Sequence, residues 1–224
     1  MDKLKVIITG ATGMIGEGVL YQCLSNESVE KVLVLTRNTC GYKHPKLAEI
    51  IHRDFLDMSS LNEELKGYNA CFFCLGVSSV GKNEKEYTKL TYTLTLNIAS
   101  VLATLNPEMI FCYISGTGTD STEKGRVMWA RVKGKTENDL MKLPLKRVYN
   151  FRPAGIMPFL PLKPSQAFYK PYKYAGWLLY LIRWIAPSYI INLKDFAAAM
   201  INVALIGYSK NILEVNDIKQ LAKG

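Results

Sequence analysis

Runs of five to seven largely apolar residues alternate with longer segments of helical periodicity along the chain. Six of these runs lie at residues 5–9, 31–35, 48–52, 70–75, 109–115 and 147–151. Apolar strands that alternate with helices are typical of a parallel sheet with helices on both faces. The pattern therefore predicts an α/β fold with a doubly wound parallel sheet.

Helices are expected between these strands, at residues 14–25, 83–105, 126–142, 173–186 and 194–207. Near the end of the chain, we expect a strand at residues 212–215 and then a short helix capped by Asn216. Residues 153–171 contain five prolines and form the longest irregular stretch. Because such a long loop in a compact domain is usually functional, we expect residues 153–192 to form a small C-terminal helical and loop region, a lid that contacts substrate.

Composition fits one globular domain spanning residues 1–224, with 49% hydrophobic and 21% charged residues. The net charge of +9 comes from scattered lysines and arginines, which favours an anionic cofactor or substrate over nucleic acid. Neither end has the pattern of a signal peptide, and Arg183 and Pro187 interrupt the longest apolar stretch. We therefore expect a cytoplasmic protein with no transmembrane segment. The aromatic-rich residues 172–186 leave open a lid helix, an oligomer contact or a membrane-surface anchor.

The cysteines and histidines indicate neither a disulfide framework nor a metal site. The five cysteines are an odd number in a chain without an expected export signal, which favours reduced thiols. Cys71 and Cys74 lie three residues apart in a predicted strand, so they point to opposite faces and cannot share a metal. His44 and His52 have no matching ligands nearby in the sequence, so no metal is predicted.

The most informative stretch is residues 5–16, KVIITGATGMIG, where an apolar strand leads into three glycines and the start of a helix. Gly10 permits a sharp turn, Gly13 lets backbone N–H groups approach a phosphate, and Gly16 permits close packing of the helix. The positive end of the helix then lies against the phosphates. The stretch therefore predicts a dinucleotide site.

Four further motifs follow in order: CLG at 74–76, YISG at 113–116, VKG at 132–134 and FRPAGI at 151–156. With TGATGMIG at residues 9–16, they make the chain resemble the atypical short-chain dehydrogenase/reductases, which have an NAD(P)-binding Rossmann fold and include epimerase- and dehydratase-like enzymes. Within this family the chain is most similar to the small, single-domain proteins of the Tat-interacting-protein type. The resemblance extends from residue 5 to about residue 220.

The resemblance implies most of a cofactor site. It puts five residues at the pyrophosphate, namely Gly10, Thr12, Gly13, Met14 and Ile15, and Gly16 completes the cofactor-binding motif. It puts three pairs along the rest of the dinucleotide, namely Asp54 and Phe55 at the adenine, Leu75 and Gly76 at the adenosine side, and Pro153 and Ala154 near the nicotinamide. These residues follow the C-terminal ends of predicted strands, where open α/β sheets bind ligands.

The end of the second strand bears on the choice of cofactor. An NAD-binding protein usually places an acid there for the ribose 2′-hydroxyl, but this chain has Leu35, Thr36 and Arg37. Arg37 can pair with a 2′-phosphate that no carboxylate repels, so NADP(H) is predicted over NAD(H). The alternative is that Arg37 is an ordinary surface residue.

Enzymes of the family use a serine, a tyrosine and a lysine four residues after the tyrosine. The resemblance places Ser115 at the serine and Lys133 at the lysine, which also holds the nicotinamide ribose, but Trp129 stands where the tyrosine belongs. An indole donates one hydrogen bond and cannot exchange a proton near neutral pH, so Trp129 cannot replace the tyrosine. Either another acid, such as Tyr113 or Tyr169, or a water completes the chemistry, or Trp129 only covers the cofactor pocket.

Two functions remain open at this point. The first is an NADP(H)-dependent oxidoreductase acting on a small carbonyl or alcohol, which the cofactor motif, Ser115 and Lys133 support. The second is a catalytically silent NADP(H)-binding regulator or scaffold with a protein partner, which Trp129 and the aromatic residues around Trp177 and Trp184 support. A homo-oligomer is compatible with both, and binding to a membrane surface is a third, weaker hypothesis.

Overall fold

The computed structural model describes residues 2–158 and 189–224. The predicted helix at 173–186, which contains Trp177 and Trp184, lies outside the described residues. Tyr169 and most of the expected lid lie outside them as well. The strands, in chain order, are β1 (Leu4–Thr9), β2 (Val29–Thr36), β3 (Leu47–Ile51), β4 (Ala70–Phe73), β5 (Ile110–Ile114), β6 (Arg147–Arg152), β7 (Gly155–Met157), β8 (Ile190–Asn192) and β9 (Ile212–Glu214). The apolar runs in the sequence thus correspond to strands.

Seven of these strands form one parallel sheet in the order β3-β2-β1-β4-β5-β6-β9. The chain first moves outward from β1 through β2 to β3, and then returns to place β4 on the other side of β1. This confirms the doubly wound α/β sheet. The reversal between β1 and β4 opens a crevice at their carboxyl ends, where such sheets bind ligands.

Within residues 2–158 and 189–224, six helices cover the sheet: α1 (Met14–Ser25), α2 (Glu84–Thr88), α3 (Leu94–Leu105), α4 (Met128–Leu140), α5 (Leu193–Ile206) and α6 (Val215–Leu221). A wider π-helical turn at Lys89–Thr93 joins α2 to α3, so the helix predicted at 83–105 is one helical stretch with a wide turn inside it. A 3₁₀ turn lies at Ser59–Leu61.

Each face of the sheet has its own apolar core, because successive residues of a buried strand point to opposite sides. Val6 and Ile8 of β1 belong to the core beneath α1 and α5, whereas Ile7 belongs to the core beneath α3 and α4. All three are fully buried. Burial on both faces explains why the strands are continuous apolar runs in the sequence.

Two local features differ from the sequence prediction. The last helix begins at Val215 rather than after Asn216, because Glu214 caps it: the Glu214 N–H donates to the Asp217 carboxylate at 3.1 Å and the Glu214 side chain accepts in return. In addition, β7 and β8 form a small parallel pair within residues 153–192, the region expected to consist of helix and loop. This pair joins the chain on either side of residues 159–188.

Candidate functional site

The glycine turn after β1 depends on the absence of side chains. Gly10 has φ +70°, and a Cβ there would lie 2.6 Å from the carbonyl oxygen of Cys74 at the end of β4. A Cβ on Gly16 would overlap the Gly10 carbonyl oxygen. Both glycines therefore serve close packing of the turn, and α1 can begin directly at the crevice.

Gly13 is the N-cap of α1, and no side chain of residues 2–158 and 189–224 caps this helix end. The first N–H groups of a helix have no partner within the helix, so they are available to an anion, and the helix dipole favours negative charge there. Gly13, Met14 and Ile15 line a cleft of about 680 Å³, within the usual size range of ligand sites. This arrangement fits the pyrophosphate of a dinucleotide.

The far wall of the cleft is built by the carboxyl ends of β4, β5 and β6. The residues expected along the dinucleotide lie in this wall, since Leu75, Gly76, Pro153 and Ala154 all line the cleft. It also contains Cys74, Val77, Ile114, Gly116, Thr117 and Ile156. Residues from widely separated parts of the chain thus meet at one edge of the sheet.

A second, smaller pocket continues from the glycine turn toward the end of β2. It is lined by Gly10, Thr12, Leu35, Thr36, Arg37, Asn38, Phe55 and Leu75. Phe55 is buried and stacks on His52 with 6.2 Å between ring centroids, so it offers a fixed apolar wall for an adenine. Asp54 is exposed, is not among the residues lining this pocket, and accepts a hydrogen bond from the Leu56 N–H at 2.9 Å.

Arg37 lies in this pocket with an exposed side chain. Within residues 2–158 and 189–224, no hydrogen bond or ion pair engages its guanidinium, and no carboxylate lines the pocket. A guanidinium without a carboxylate partner is available to a phosphate. The pocket is therefore electrostatically suited to a phosphorylated ribose.

At the other end of the large cleft, α4 presents Trp129 and Lys133 to the carboxyl end of β5. The Lys133 ammonium donates to the carbonyl oxygens of Ser115 and, at 3.5 Å, of Ile114. The Trp129 ring packs over the turn at Gly118, whose φ is +87° and where an added Cβ would lie 3.6 Å from the indole. Trp129 and Lys133 therefore lie together in the cleft, as their spacing of four residues predicts.

Ser115 also lines the cleft, but its hydroxyl is engaged by a buried carboxylate. Its Oγ donates to Glu137 at 2.5 Å and lies 3.2 Å from the Phe151 carbonyl oxygen. A serine hydroxyl has a single proton, so this bond leaves none for a substrate carbonyl. Ser115 is in the expected place, but in this arrangement it can only accept a hydrogen bond from a ligand.

Glu137 and Arg152 form the buried base of this corner. Glu137 is fully buried and accepts from Arg152 Nε at 3.0 Å and Nη2 at 2.5 Å. Arg152 extends the network to Ser121 Oγ at 2.6 Å and to the Glu214 carboxylate at 3.4 Å. Glu137 and Arg152 are thus paired with each other. This pairing offsets the free-energy cost of removing the two charges from water.

Burial lowers the pKa of Lys133 from 10.5 to about 8, because desolvation disfavours the ammonium, and the nearby Glu137 carboxylate partly offsets this by favouring the charged form. Burial raises the pKa of the Cys74 thiol. Among the described residues that line the cleft, Lys133 is thus the group that titrates nearest to neutral pH.

Tyr113 does not serve as the missing acid. It is 2% exposed, packs in the core against Phe73 at 6.1 Å between ring centroids, and does not line the cleft. Burial raises its pKa well above the usual range of a phenol. The prediction that Tyr113 could supply a proton is therefore wrong, and Tyr169 lies outside the described residues.

Several residues of the site were not predicted from the sequence, among them three polar ones. Thr117 lies at the cleft, with its hydroxyl donating to the Arg152 carbonyl at 3.0 Å, and Glu137 and Arg152 support the corner from beneath. Glu137 could have been found, because it lies four residues after Lys133 on the same helix face. Arg152 could not, because its pairing joins β6 to α4 across the fold.

The comparisons with known proteins agree with this geometry. Residues 6–123, more than half of the chain, match the sequence model of the NAD dependent epimerase/dehydratase family. "Protein FMP52, mitochondrial" of Candida glabrata is 25% identical over 159 residues, which cover 70% of this chain and 66% of that protein. "Leucinostatins biosynthesis cluster protein T" of Purpureocillium lilacinum is 27% identical over 153 residues, which cover 65% of this chain and 55% of that protein. The matched region is therefore less than two thirds of either relative.

Solved structures share the fold at low sequence identity. The Bordetella bronchiseptica enzyme WbmF in complex with NAD+ has a TM-score of 0.69 and 14% identity, covering 99% of this chain and 77% of that one. Helicobacter pylori ADP-L-glycero-D-manno-heptose-6-epimerase has a TM-score of 0.69 and 15% identity, covering 99% and 82%. At this identity the likeness establishes the Rossmann-type fold.

Two further observations bear on location and metal content. Within the two described ranges, no helix combines the length and the apolar character that crossing a membrane requires. The same residues contain no cluster of three or more potential metal ligands. The cytoplasmic location stays a prediction, since one relative is named as mitochondrial.

Proposed function

The chain belongs to the NAD dependent epimerase/dehydratase family, and on that premise we propose that it is an NADP(H)-binding oxidoreductase of the atypical short-chain dehydrogenase/reductase type. Its substrate is a small carbonyl compound or alcohol. The observation that carries the proposal is the single cleft that joins the uncapped start of α1 to Lys133 at the carboxyl end of β5. A bound NADP(H) supplies or accepts a hydride there.

The residues of this chain have distinct tasks in the proposal. The N-terminus of α1 binds the pyrophosphate through backbone N–H groups. Phe55 packs against the adenine, and the Arg37 guanidinium pairs with the ribose 2′-phosphate. Lys133 holds the nicotinamide ribose, while Pro153 and Ala154 exclude water from the nicotinamide side. Thr117 and Ser115 offer hydroxyl oxygens to the substrate.

Titration with NADPH and NADH tests the cofactor assignment, with binding monitored through the quenching of intrinsic tryptophan fluorescence. Loss of a hydrogen bond to a charged group costs about 1.5–3 kcal/mol, so Arg37→Gln is expected to weaken NADPH binding by about tenfold or more and to leave NADH binding unchanged. Arg147→Gln is the matched control, because Arg147 is exposed at the opposite, amino-terminal end of β6. Equal loss of affinity for both cofactors would contradict the preference for NADP(H).

A catalytically silent NADP(H)-binding regulator or scaffold is the second candidate, and the position of Trp129 in the cleft favours it. In that case the cofactor stays chemically intact with every carbonyl and alcohol tested, and its binding changes the affinity for a protein partner. Turnover of any substrate in a panel supports the enzyme. A partner captured with NADPH but not without it, together with an absence of turnover, supports the regulator.

A further inference from the structure

Trp129 stands where the family has the tyrosine that carries the proton, and no tyrosine is among the described residues that line the cleft, so the proton needs another source. Among the described residues lining the cleft, the side chains with exchangeable protons are Trp129, Cys74, Thr117, Ser115 and Lys133. An epimerase, a reductase or a dehydrogenase of this type must exchange a proton at the substrate oxygen, because a hydride alone leaves an alkoxide. One of these side chains, or a water, must supply it.

Four of the five side chains are unsuited to the task. The indole of Trp129 donates a hydrogen bond but does not ionise near neutral pH. The Ser115 proton is held by Glu137, and the Thr117 proton is held by the Arg152 carbonyl at 3.0 Å. Burial moves the pKa of the Cys74 thiol upward, away from the range in which a thiol exchanges protons readily. Lys133 remains.

We propose that Lys133 itself donates the proton to the substrate oxygen, in place of the absent tyrosine. The inference rests on the proposed function, which supplies the hydride of a reduced nicotinamide. As that hydride forms a C–H bond at the carbonyl carbon, the π pair moves to oxygen and an N–H bond of Lys133 breaks to form the O–H bond. Lys133 is left as a neutral amine and regains a proton from solvent.

The geometry places the ammonium for this step. The carbonyl oxygens of Ser115 and Ile114 accept from Lys133 at the carboxyl end of β5, where the cleft is also lined by Thr117 and Pro153. An ammonium has three N–H donors. The Ser115 carbonyl keeps one of them, whereas the contact to Ile114 lies at the 3.5 Å limit of a hydrogen bond, so the other two N–H groups can serve the nicotinamide ribose and the substrate oxygen. The Ser115 carbonyl also holds Nζ in the cleft, so proton transfer needs no rearrangement of the long side chain.

The surroundings of Lys133 bring its pKa into the range in which it can release a proton near physiological pH. On its own helix, the Glu137 carboxylate favours the ammonium, and Arg152 of β6 and Glu214 lie behind Glu137. From β4 and β5, Cys74 and Tyr113 remain uncharged because burial raises the pKa of each. Desolvation outweighs Glu137 and brings the pKa of Lys133 to about 8, close to the value that suits a general acid at neutral pH.

Two measurements on the full chain test the inference together. The first follows the ionisation of Lys133 directly, by labelling amines with acetic anhydride over a pH series and quantifying each lysine by mass spectrometry. The second follows NADPH-dependent reduction of 9,10-phenanthrenequinone, an activated dicarbonyl, over the same pH range. The labelling midpoint of Lys133 is expected at about pH 8, and the reduction rate is expected to fall above the same pH.

Lys133→Arg separates proton donation from binding, because a guanidinium keeps the charge and the donors but does not release a proton near neutral pH. The variant is expected to bind NADPH within about fivefold of the wild type. Its reduction rate is expected to fall by about 100-fold or more, the contribution of a general acid. Lys135→Arg is the control, because Lys135 is exposed on the same helix and pairs with Asp139.

The outcomes distinguish this inference from the proposed function. NADPH binding without quinone reduction at any pH overturns proton donation by Lys133 and leaves cofactor binding intact. A Lys133 labelling midpoint near that of surface lysines, or a Lys133→Arg variant with the wild-type rate and pH profile, also overturns it. Failure of the wild type to bind NADPH overturns the proposed function, and the inference with it.

Discussion

Replacing Glu137 with glutamine tests the buried network beneath the cleft. Glu137 is fully buried, and both of its carboxylate oxygens accept from Arg152, with Oε1 also accepting from Ser115. Glutamine has nearly the same volume, so no cavity forms. One side of its amide is a donor, however, and in either orientation it faces a donor of Arg152. The variant therefore removes the charge and places two donors against each other.

The expected cost follows from what Arg152 retains. Breaking a buried ion pair by neutralising one partner costs about 3–5 kcal/mol, because the other charge is left uncompensated. Arg152 is 9% exposed and keeps Ser121 and, at 3.4 Å, Glu214, so the lower end of about 3 kcal/mol applies. For a chain of this length, that cost lowers the melting temperature by about 6–12 °C.

Urea unfolding, monitored by circular dichroism, measures this loss of stability. If the dependence of the unfolding free energy on urea concentration keeps the same slope, the substitution has changed stability alone. Glu63→Gln is the control, since Glu63 forms an exposed i,i+3 pair with Lys66 and has an 81% exposed side chain. The control is expected to unfold like the wild type. If the free energy of unfolding of Glu137→Gln lies within about 1 kcal/mol of the wild-type value, the network of Glu137, Arg152 and Ser115 does not stabilise the fold.

Three further variants test other parts of the site. Gly16→Ala places a Cβ on the Gly10 carbonyl and is expected to cost about 1–3 kcal/mol and to abolish NADPH binding, whereas Gly76→Ala faces open space and should fold normally in a thermal melt. Because the folded-state pKa of Lys133 lies at about 8 and the unfolded value at 10.5, its ammonium costs stability below about pH 8 and the cost disappears as pH rises toward 10.5. Lys133→Met should therefore raise the urea midpoint at about pH 7 and raise it less at about pH 10. Trp129→Tyr restores an ionisable phenol four residues before Lys133 and should increase quinone reduction by about tenfold or more, whereas Trp129→Phe should not.

The sequence was sufficient for the sheet and for the glycine turn into α1, because both depend on local patterns. Apolar runs predict strands, and the spacing of Gly10, Gly13 and Gly16 predicts a turn into a helix without reference to distant residues. The direction of the Ser115 hydroxyl and the pairing of Glu137 with Arg152 depend on how α4 packs on β6. Such contacts between distant segments leave no periodic signal, so only the structure reveals them.

The three residues Trp129, Lys133 and Glu137 share one face of α4 but differ in what they contribute to stability. Glu137 and Arg152 satisfy each other, so the fold alone accounts for both. Lys133 is different, because desolvation disfavours its charge and the folded protein holds it at a cost. If position 133 served stability alone, an apolar side chain there would make the fold more stable than the lysine does. A destabilising ammonium at the cleft is therefore better explained by a task there than by packing, and that task can be cofactor binding, proton donation or both.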